Sequence, residues 1–155
     1  MKQRFLNAFN TLMSDREELL ANCRLAQSLL CDCSEIDAEL VELGQEIEVV
    51  AELARKAIYE SARSVVNQDE FNERNNSYLE RHRKATERVA ELEGLRRERQ
   101  TKFLVLEGFI QGIERRPLVL EEFDEKLWTV AVETVRVMPD GRLMFSFKDG
   151  TEIEG

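Results

Sequence analysis

Val135-Arg136-Val137-Met138-Pro139-Asp140-Gly141-Arg142-Leu143-Met144-Phe145-Ser146-Phe147 decides the fold, because it changes the period of a chain that is otherwise patterned as helix. Val135, Val137, Leu143, Phe145 and Phe147 alternate with polar neighbours, the period of a strand with one covered face. Pro139-Asp140-Gly141 between them is a turn with a mechanism: proline presets φ, and glycine accepts a positive φ. Asp149-Gly150 marks a second turn, so Thr151-Glu152-Ile153 can add a short edge. A β-ribbon is therefore expected at the C-terminal end of a mainly helical chain.

Upstream, the period is that of helices. Glu121-Glu122-Phe123-Asp124-Glu125-Lys126-Leu127-Trp128 is acidic and amphipathic, and Phe123, Leu127, Trp128 and Ala131 trace one face of a short helix. Before it, Arg115-Arg116 suit a helix C-terminus and Pro117 stops the helix. That helix reads Phe71, Tyr78, His82, Ala85, Val89, Leu92, Arg96, Arg99, Phe103, Leu106, Ile110 and Ile113 along its seam. Arg96 and Arg99 predict a locally loosened seam with Leu95 as an alternative contact, and His82 is expected to be packed. Asn67 can cap this helix, and Asp69-Glu70 suit its positive end.

A first long helix precedes it. Ser34-Glu35-Ile36-Asp37 carries an N-cap signal, and Ile36, Leu40, Leu43, Ile47, Val50, Ala54 and Ala57 repeat at 3–4 spacing over about three heptads. Leu53 and Ile58 widen the apolar stripe. Two long helices joined near Val65-Val66-Asn67-Gln68 should fold back antiparallel. Phe5, Leu6, Phe9, Leu12 and Met13 predict a short N-terminal helix. Ser14-Asp15-Arg16-Glu17 has the form of a capping box opening a second. The aromatic-rich ends of the chain are expected to meet in one small core, with residues 103–113 of the long helix packed on it and the turn near Val66 far away, in an elongated molecule.

The expected architecture is thus mainly α: a long antiparallel helical hairpin, a coiled coil, on a small α+β base with a C-terminal β-hairpin. Residues 1–33 supply the N-terminal helices of the base, 34–116 the arm, and 117–155 a short helix and the ribbon.

Composition narrows the function. The 155 residues are 43% hydrophobic and 34% charged, with a net charge of −9 that repels a phosphate backbone. Charge is uneven: Arg81, Arg83, Lys84, Arg88, Arg96, Arg97, Arg99 and Lys102 form a basic stripe. It reads either as a solvated helix face laced with i,i+4 pairs or as a phosphate-facing surface. Cys31-Asp32-Cys33 is a C-x-C and not a zinc knuckle, Cys23 makes the count odd, and His82 is distant. No metal site or cofactor is expected, and thiols without a secretory segment point to the cytoplasm. No stretch is long and apolar enough for a bilayer. There is no phosphate loop, no G-x-S-x-G, no H-E-x-x-H and no carboxylate pair singled out by position, so no catalytic residue can be named and the chain is not expected to be an enzyme.

Phe123-Asp124-Glu125-Lys126-Leu127-Trp128, the run 132–137, and Asp140-Gly141-Arg142-Leu143-Met144-Phe145-Ser146-Phe147-Lys148-Asp149-Gly150-Thr151-Glu152-Ile153 resemble the end of the large serine site-specific recombinases, the resolvase/invertase-type integrases of mobile elements. The hairpin before them is similar to the coiled-coil arm inserted in that family's zinc-ribbon domain. The final thirty or so residues carry the specific part of the resemblance. The family's catalytic domain, with its serine nucleophile, and its paired cysteine knuckles have no counterpart here, so catalysis and zinc binding transfer to no residue. The resemblance implies a non-catalytic C-terminal region, with zinc expected only in an upstream part. The arm would contact other recombinase subunits in synapsis of two DNA sites, and the base would touch DNA in the full-length protein.

By that analogy Val65, Val66, Asn67 and Gln68 form the partner-contacting tip, although Val65-Val66 could equally close the hairpin core. Arg136, Arg142 and Lys148 on the ribbon are the candidate DNA contacts, or else charges that deter edge pairing. A different expectation stands beside this one: a free-standing coiled-coil adaptor, a possible homodimer with no DNA role.

Overall fold

The computed structural model describes residues 1–155. Its elements are α1 Lys2–Met13, α2 Arg16–Leu30, α3 Ser34–Arg63, α4 Gln68–Glu114, α5 Glu125–Ala131, β1 Val132–Val137, β2 Leu143–Phe147 and β3 Glu152–Glu154. The chain is mainly helical with one small antiparallel sheet, as its two periods require. It divides into two compact units: residues 1–32 with 99–155, the base, and residues 33–98, the arm. α4 belongs to both. Heptad spacing continues through it and does not mark where it exchanges α3 for the base helices as its partner.

In the base the two aromatic ends meet. Phe5 and Phe9 of α1 and Phe145 and Phe147 of β2 are fully buried together with Phe109, Ile110 and Ile113 of α4. Phe5 meets the Trp128 ring edge-on with centroids 5.0 Å apart, and Trp128 stands perpendicular to Phe145 at 6.1 Å. Edge-to-face rings add a specific geometry to the burial of large apolar area. Phe109 lies outside the expected seam of α4, because here the helix is covered from more than one side. Phe103, expected on that seam, is 42% exposed.

The sheet has the order β1-β2-β3, all antiparallel, with Val135 opposite Phe145 and Phe145 opposite Ile153. Gly141 takes φ +81° in the turn, and its N–H donates to the Met138 carbonyl at 2.9 Å. The edge expected at Thr151-Glu152-Ile153 is present as β3.

Two helix starts differ from their sequence signals. Ser14 does not cap α2; its hydroxyl donates to the Thr11 carbonyl at 2.7 Å, and Asp15 holds the N-cap position. Cys33 precedes α3 as its N-cap, and Ser34 is the first helical residue. A side chain at the end of one helix can serve the last carbonyls of that helix as readily as the first amides of the next. Asp124, by contrast, caps α5 by accepting from the backbone N–H groups of Lys126 and Leu127 at 2.9 and 3.0 Å. The Leu127 amide and the neighbouring Arg116 hold its carboxyl below the ordinary aspartate range. A depressed pKa means stabilisation that is present above the unfolded value and lost as pH falls through the folded one. Asp124→Ala should therefore cost about 1 kcal/mol at neutral pH. It should cost nothing once acid has protonated the wild-type carboxyl, and urea midpoints at the two pH values check this.

Glycines on α4 make a paired prediction. A Cβ on Gly108 meets nothing, whereas one on Gly112 would lie 3.1 Å from Val130 Cγ2 and 3.7 Å from Leu127 Cδ1, so Gly112 lets α5 close on α4. Gly108→Ala should stabilise the chain by ~1 kcal/mol through helix propensity. Gly112→Leu should lower the melting temperature, since its added atoms must displace α5. Equal responses at the two sites would show that α5 is not held against α4.

None of the three cysteines is in a disulfide. Burial, with Asp149 adding to it, pushes the Cys23 thiol up to about 11. Cys23 should resist iodoacetamide at mildly alkaline pH in the native protein and react in urea, as mass spectrometry of the alkylated peptide would show. Prompt native reaction would mean that α2 opens readily. No helix is long and apolar enough to cross a membrane.

Candidate functional site

The arm is built by strict heptads. In α3 the covered positions are Ile36, Leu40, Leu43, Ile47, Val50, Ala54 and Ala57; in α4 they include Phe71, Tyr78, Ala85, Val89 and Leu92. Three ion pairs cross between the helices: Glu46–Arg81 at 2.8 Å, Glu39–Arg88 at 2.7 Å and Asp37–Arg96 at 3.1 Å. Residue numbers fall on one helix as they rise on the other, so α3 and α4 run antiparallel. Leu40 and Val89, one residue beyond the Glu39–Arg88 pair, are both half-buried.

His82 is exposed and not packed, and Leu95 is also exposed and fills no seam. Arg96 resolves the expected conflict differently. Its long side chain leaves the seam and reaches Asp37, so the charge stays in water. Arg99 likewise donates to the carbonyl of Asp32, within the base.

The basic stripe is largely occupied. Arg83 is held between Glu80 and Glu87 at 2.7 and 2.6 Å, and Lys84 is near Glu80 at 3.7 Å. The hydrogen bond from Arg88 holds the Glu39 carboxyl below its usual range. Arg81, Arg83, Arg88 and Arg96 each meet a carboxylate, Arg99 meets a backbone carbonyl, and Arg97 and Lys102 make no ion pair.

At the turn between α3 and α4, Val65 is 107% exposed and Val66 37%. The alternative that these valines close the hairpin core does not hold for Val65, which is covered by nothing. Asn67 caps α4, its Oδ1 accepting from the Asp69 N–H at 2.9 Å. Gln68 Nε2 donates to Asn72 Oδ1 at 3.1 Å. The four residues singled out thus lie together at one exposed turn, Val65 as a bare apolar side chain, Val66 as a partly covered one, and two as helix-starting polar ones.

The ribbon brings Arg136 and Arg142 against acids. Strand pairing sets Arg136, Met144 and Glu154 in one row, and Thr134, Ser146 and Glu152 in the next. Arg136 binds Glu152. Arg142 binds Asp140 at 2.6 Å and Glu154 at 2.9 Å. Hydrogen bonds from the Arg142 amide and then from its guanidinium hold the Asp140 carboxyl low. Lys148 stands apart, donating to the Thr129 carbonyl at 2.7 Å. The acids Glu152, Glu154 and Asp140 were missed as partners. The signal was present in the strand period, since Glu152 and Glu154 share parity and must occupy one face.

No set of three or more His, Cys, Asp or Glu side chains converges to hold a metal ion. Comparison of the chain with family models, with curated proteins and with solved structures returns no match.

Proposed function

We propose that this chain is the non-catalytic C-terminal region of a serine site-specific recombinase, whose arm contacts other recombinase subunits during synapsis. The observation that carries the proposal is the antiparallel arm with an uncovered valine, Val65, beside a partly covered one at its turn, joined to a base that ends in the antiparallel sheet. An exposed apolar side chain at a turn has a use where a second protein covers it. DNA contact by the base is the secondary part. Phosphates at Arg136 and Arg142 would have to compete with Glu152, Glu154 and Asp140, so the ribbon's affinity is expected to be small and salt-sensitive.

The test joins this region to the upstream catalytic and zinc-ribbon domains. Val65→Asp/Val66→Asp should leave binding to one DNA site unchanged and reduce synapsis of two sites at least tenfold. Loss of single-site binding instead would remove the tip as a partner surface. Arg136→Ala/Arg142→Ala should lower the salt slope of site binding; an unchanged slope and affinity would take the ribbon out of the DNA interface.

A second reading, a coiled-coil adaptor without DNA, is favoured by the neutralised ribbon and the net charge of −9. The Arg99–Asp32 hydrogen bond brings the two ends of the arm segment together. Residues 34–99 can therefore be replaced by a short linker. Sedimentation of that deletion separates the readings: an adaptor that associates through the arm becomes monomeric, and a base that associates by itself does not.

A further inference from the structure

We propose that the arm has a second interface along one flank, where it packs against the same flank of a second copy of this chain, α3 to α3 and antiparallel. The two flanks of the hairpin differ in chemistry. One is set by Glu39–Arg88 and Glu46–Arg81, residues that directly precede seam positions on both helices. The residues that directly follow the seam positions Leu43, Val50, Ala57, Phe71, Tyr78 and Ala85 line the opposite flank: Gly44, Ala51 and Ile58 on α3, and Asn72, Leu79 and Thr86 on α4. None is charged, in a chain that is 34% charged overall. The Asp37–Arg96 pair closes this flank at one end, and beyond it no ion pair crosses. Two-stranded coiled coils carry charge at both flanking positions, whereas helices buried in a larger bundle extend their apolar face to one of them. Ile58 is 56% exposed and Leu79 60%.

A second copy fits this flank in size and charge. The antiparallel register sets Gly44 level with Thr86, Ala51 with Leu79, and Ile58 with Asn72. A two-fold axis at Ala51 places Ile58 of one copy over Gly44 of the other, where a Cβ would meet nothing. Large side chains then fill small positions, as packed helices require. The same axis sets Glu48, which makes no ion pair within the chain, level with Ala54 of the second copy and next to its Arg55. Arg55 is bound only to Glu52, through exposed side chains. Symmetry makes this pair twice. The shared flank is ~20 Å long at 1.5 Å per residue. It covers less than the roughly 800 Å² per partner of a standard interface. Micromolar dissociation is expected.

Sedimentation equilibrium of the full chain is the test. The wild type should form a dimer whose dissociation constant Ile58→Glu raises at least tenfold, with the circular dichroism spectrum and melting temperature unchanged. Should that variant lose helix, Gly44→Gln is the substitute, since it enters open space in a helix interior and should weaken the dimer by a similar factor. Glu48→Arg should weaken association, and Glu48→Arg/Arg55→Glu should restore it. A chain monomeric at the highest soluble concentration would overturn the proposal, as would a dimer indifferent to both flank substitutions. Failure of the double variant to restore association overturns the antiparallel register. Association abolished by Val65→Asp/Val66→Asp and untouched by Ile58→Glu would assign it to the tip, so this proposal and the synaptic one fail separately.

Discussion

Phe145→Ala should unfold or nearly unfold the base. Phe145 is fully buried, packs perpendicular to Trp128, and lies opposite both Val135 and Ile153 in the sheet. Truncating a buried phenylalanine removes its transfer free energy and leaves a cavity, together ~3–5 kcal/mol. Domains of this size are stable by only ~5–15 kcal/mol. The urea midpoint should fall accordingly, and near-ultraviolet dichroism from Trp128 should weaken before the helical signal does. Most of the helical residues of the arm lie outside this core, so a loss confined to the tryptophan signal is the expected order. A midpoint shift below ~1 kcal/mol would mean that the sheet is not the floor of the aromatic core.

Val50→Asp should have a comparable effect in the arm. Val50 is 2% exposed at the middle of the α3 seam, and Ala57 and Leu92 are buried on the same interface. A carboxylate there has no cation placed to receive it, since the arginines of α4 point to the flanks and are held by Glu39 and Glu46. Burying an unpaired charge costs several kcal/mol, and the group protonates or the helices separate. Helical dichroism should fall at neutral pH and recover partly in acid, the reverse of the wild type, whose Glu39 carboxyl is held low by Arg88 and loses that contribution as pH falls. Unchanged helicity at neutral pH would show that α3 and α4 do not bury this seam.

Much of the architecture was legible because it rests on local rules. Period 3–4 from Ile36 to Ala57 and period 2 from Val135 to Phe147 each require one covered face, so hairpin and ribbon followed from spacing alone. Asn67 as a cap, Pro139-Asp140-Gly141 as a turn and the meeting of the aromatic ends were legible for the same reason. His82, Leu95 and the Ser14 cap were misread because each had two acceptable local environments. The imidazole of His82, midway along a two-helix arm, turns to water while Ala85 beside it is buried, since only one neighbouring helix is available to cover the seam. A serine hydroxyl between two helices takes whichever backbone group is nearer.

The candidate site divides in the same way. Sequence placed Val65, Val66, Asn67 and Gln68 at a turn, but only the folded hairpin showed Val65 to be uncovered, because exposure at a turn depends on whether the flanking helices converge beneath it. Sequence placed Arg136 and Arg142 on the ribbon, while strand pairing decided that their charges meet Glu152 and Glu154. Helix and strand periods are properties of neighbouring residues and can be read from them. Which charge neutralises which, and which apolar side chain is left bare, depend on residues brought together from distant positions in the chain, and tertiary structure alone decides them.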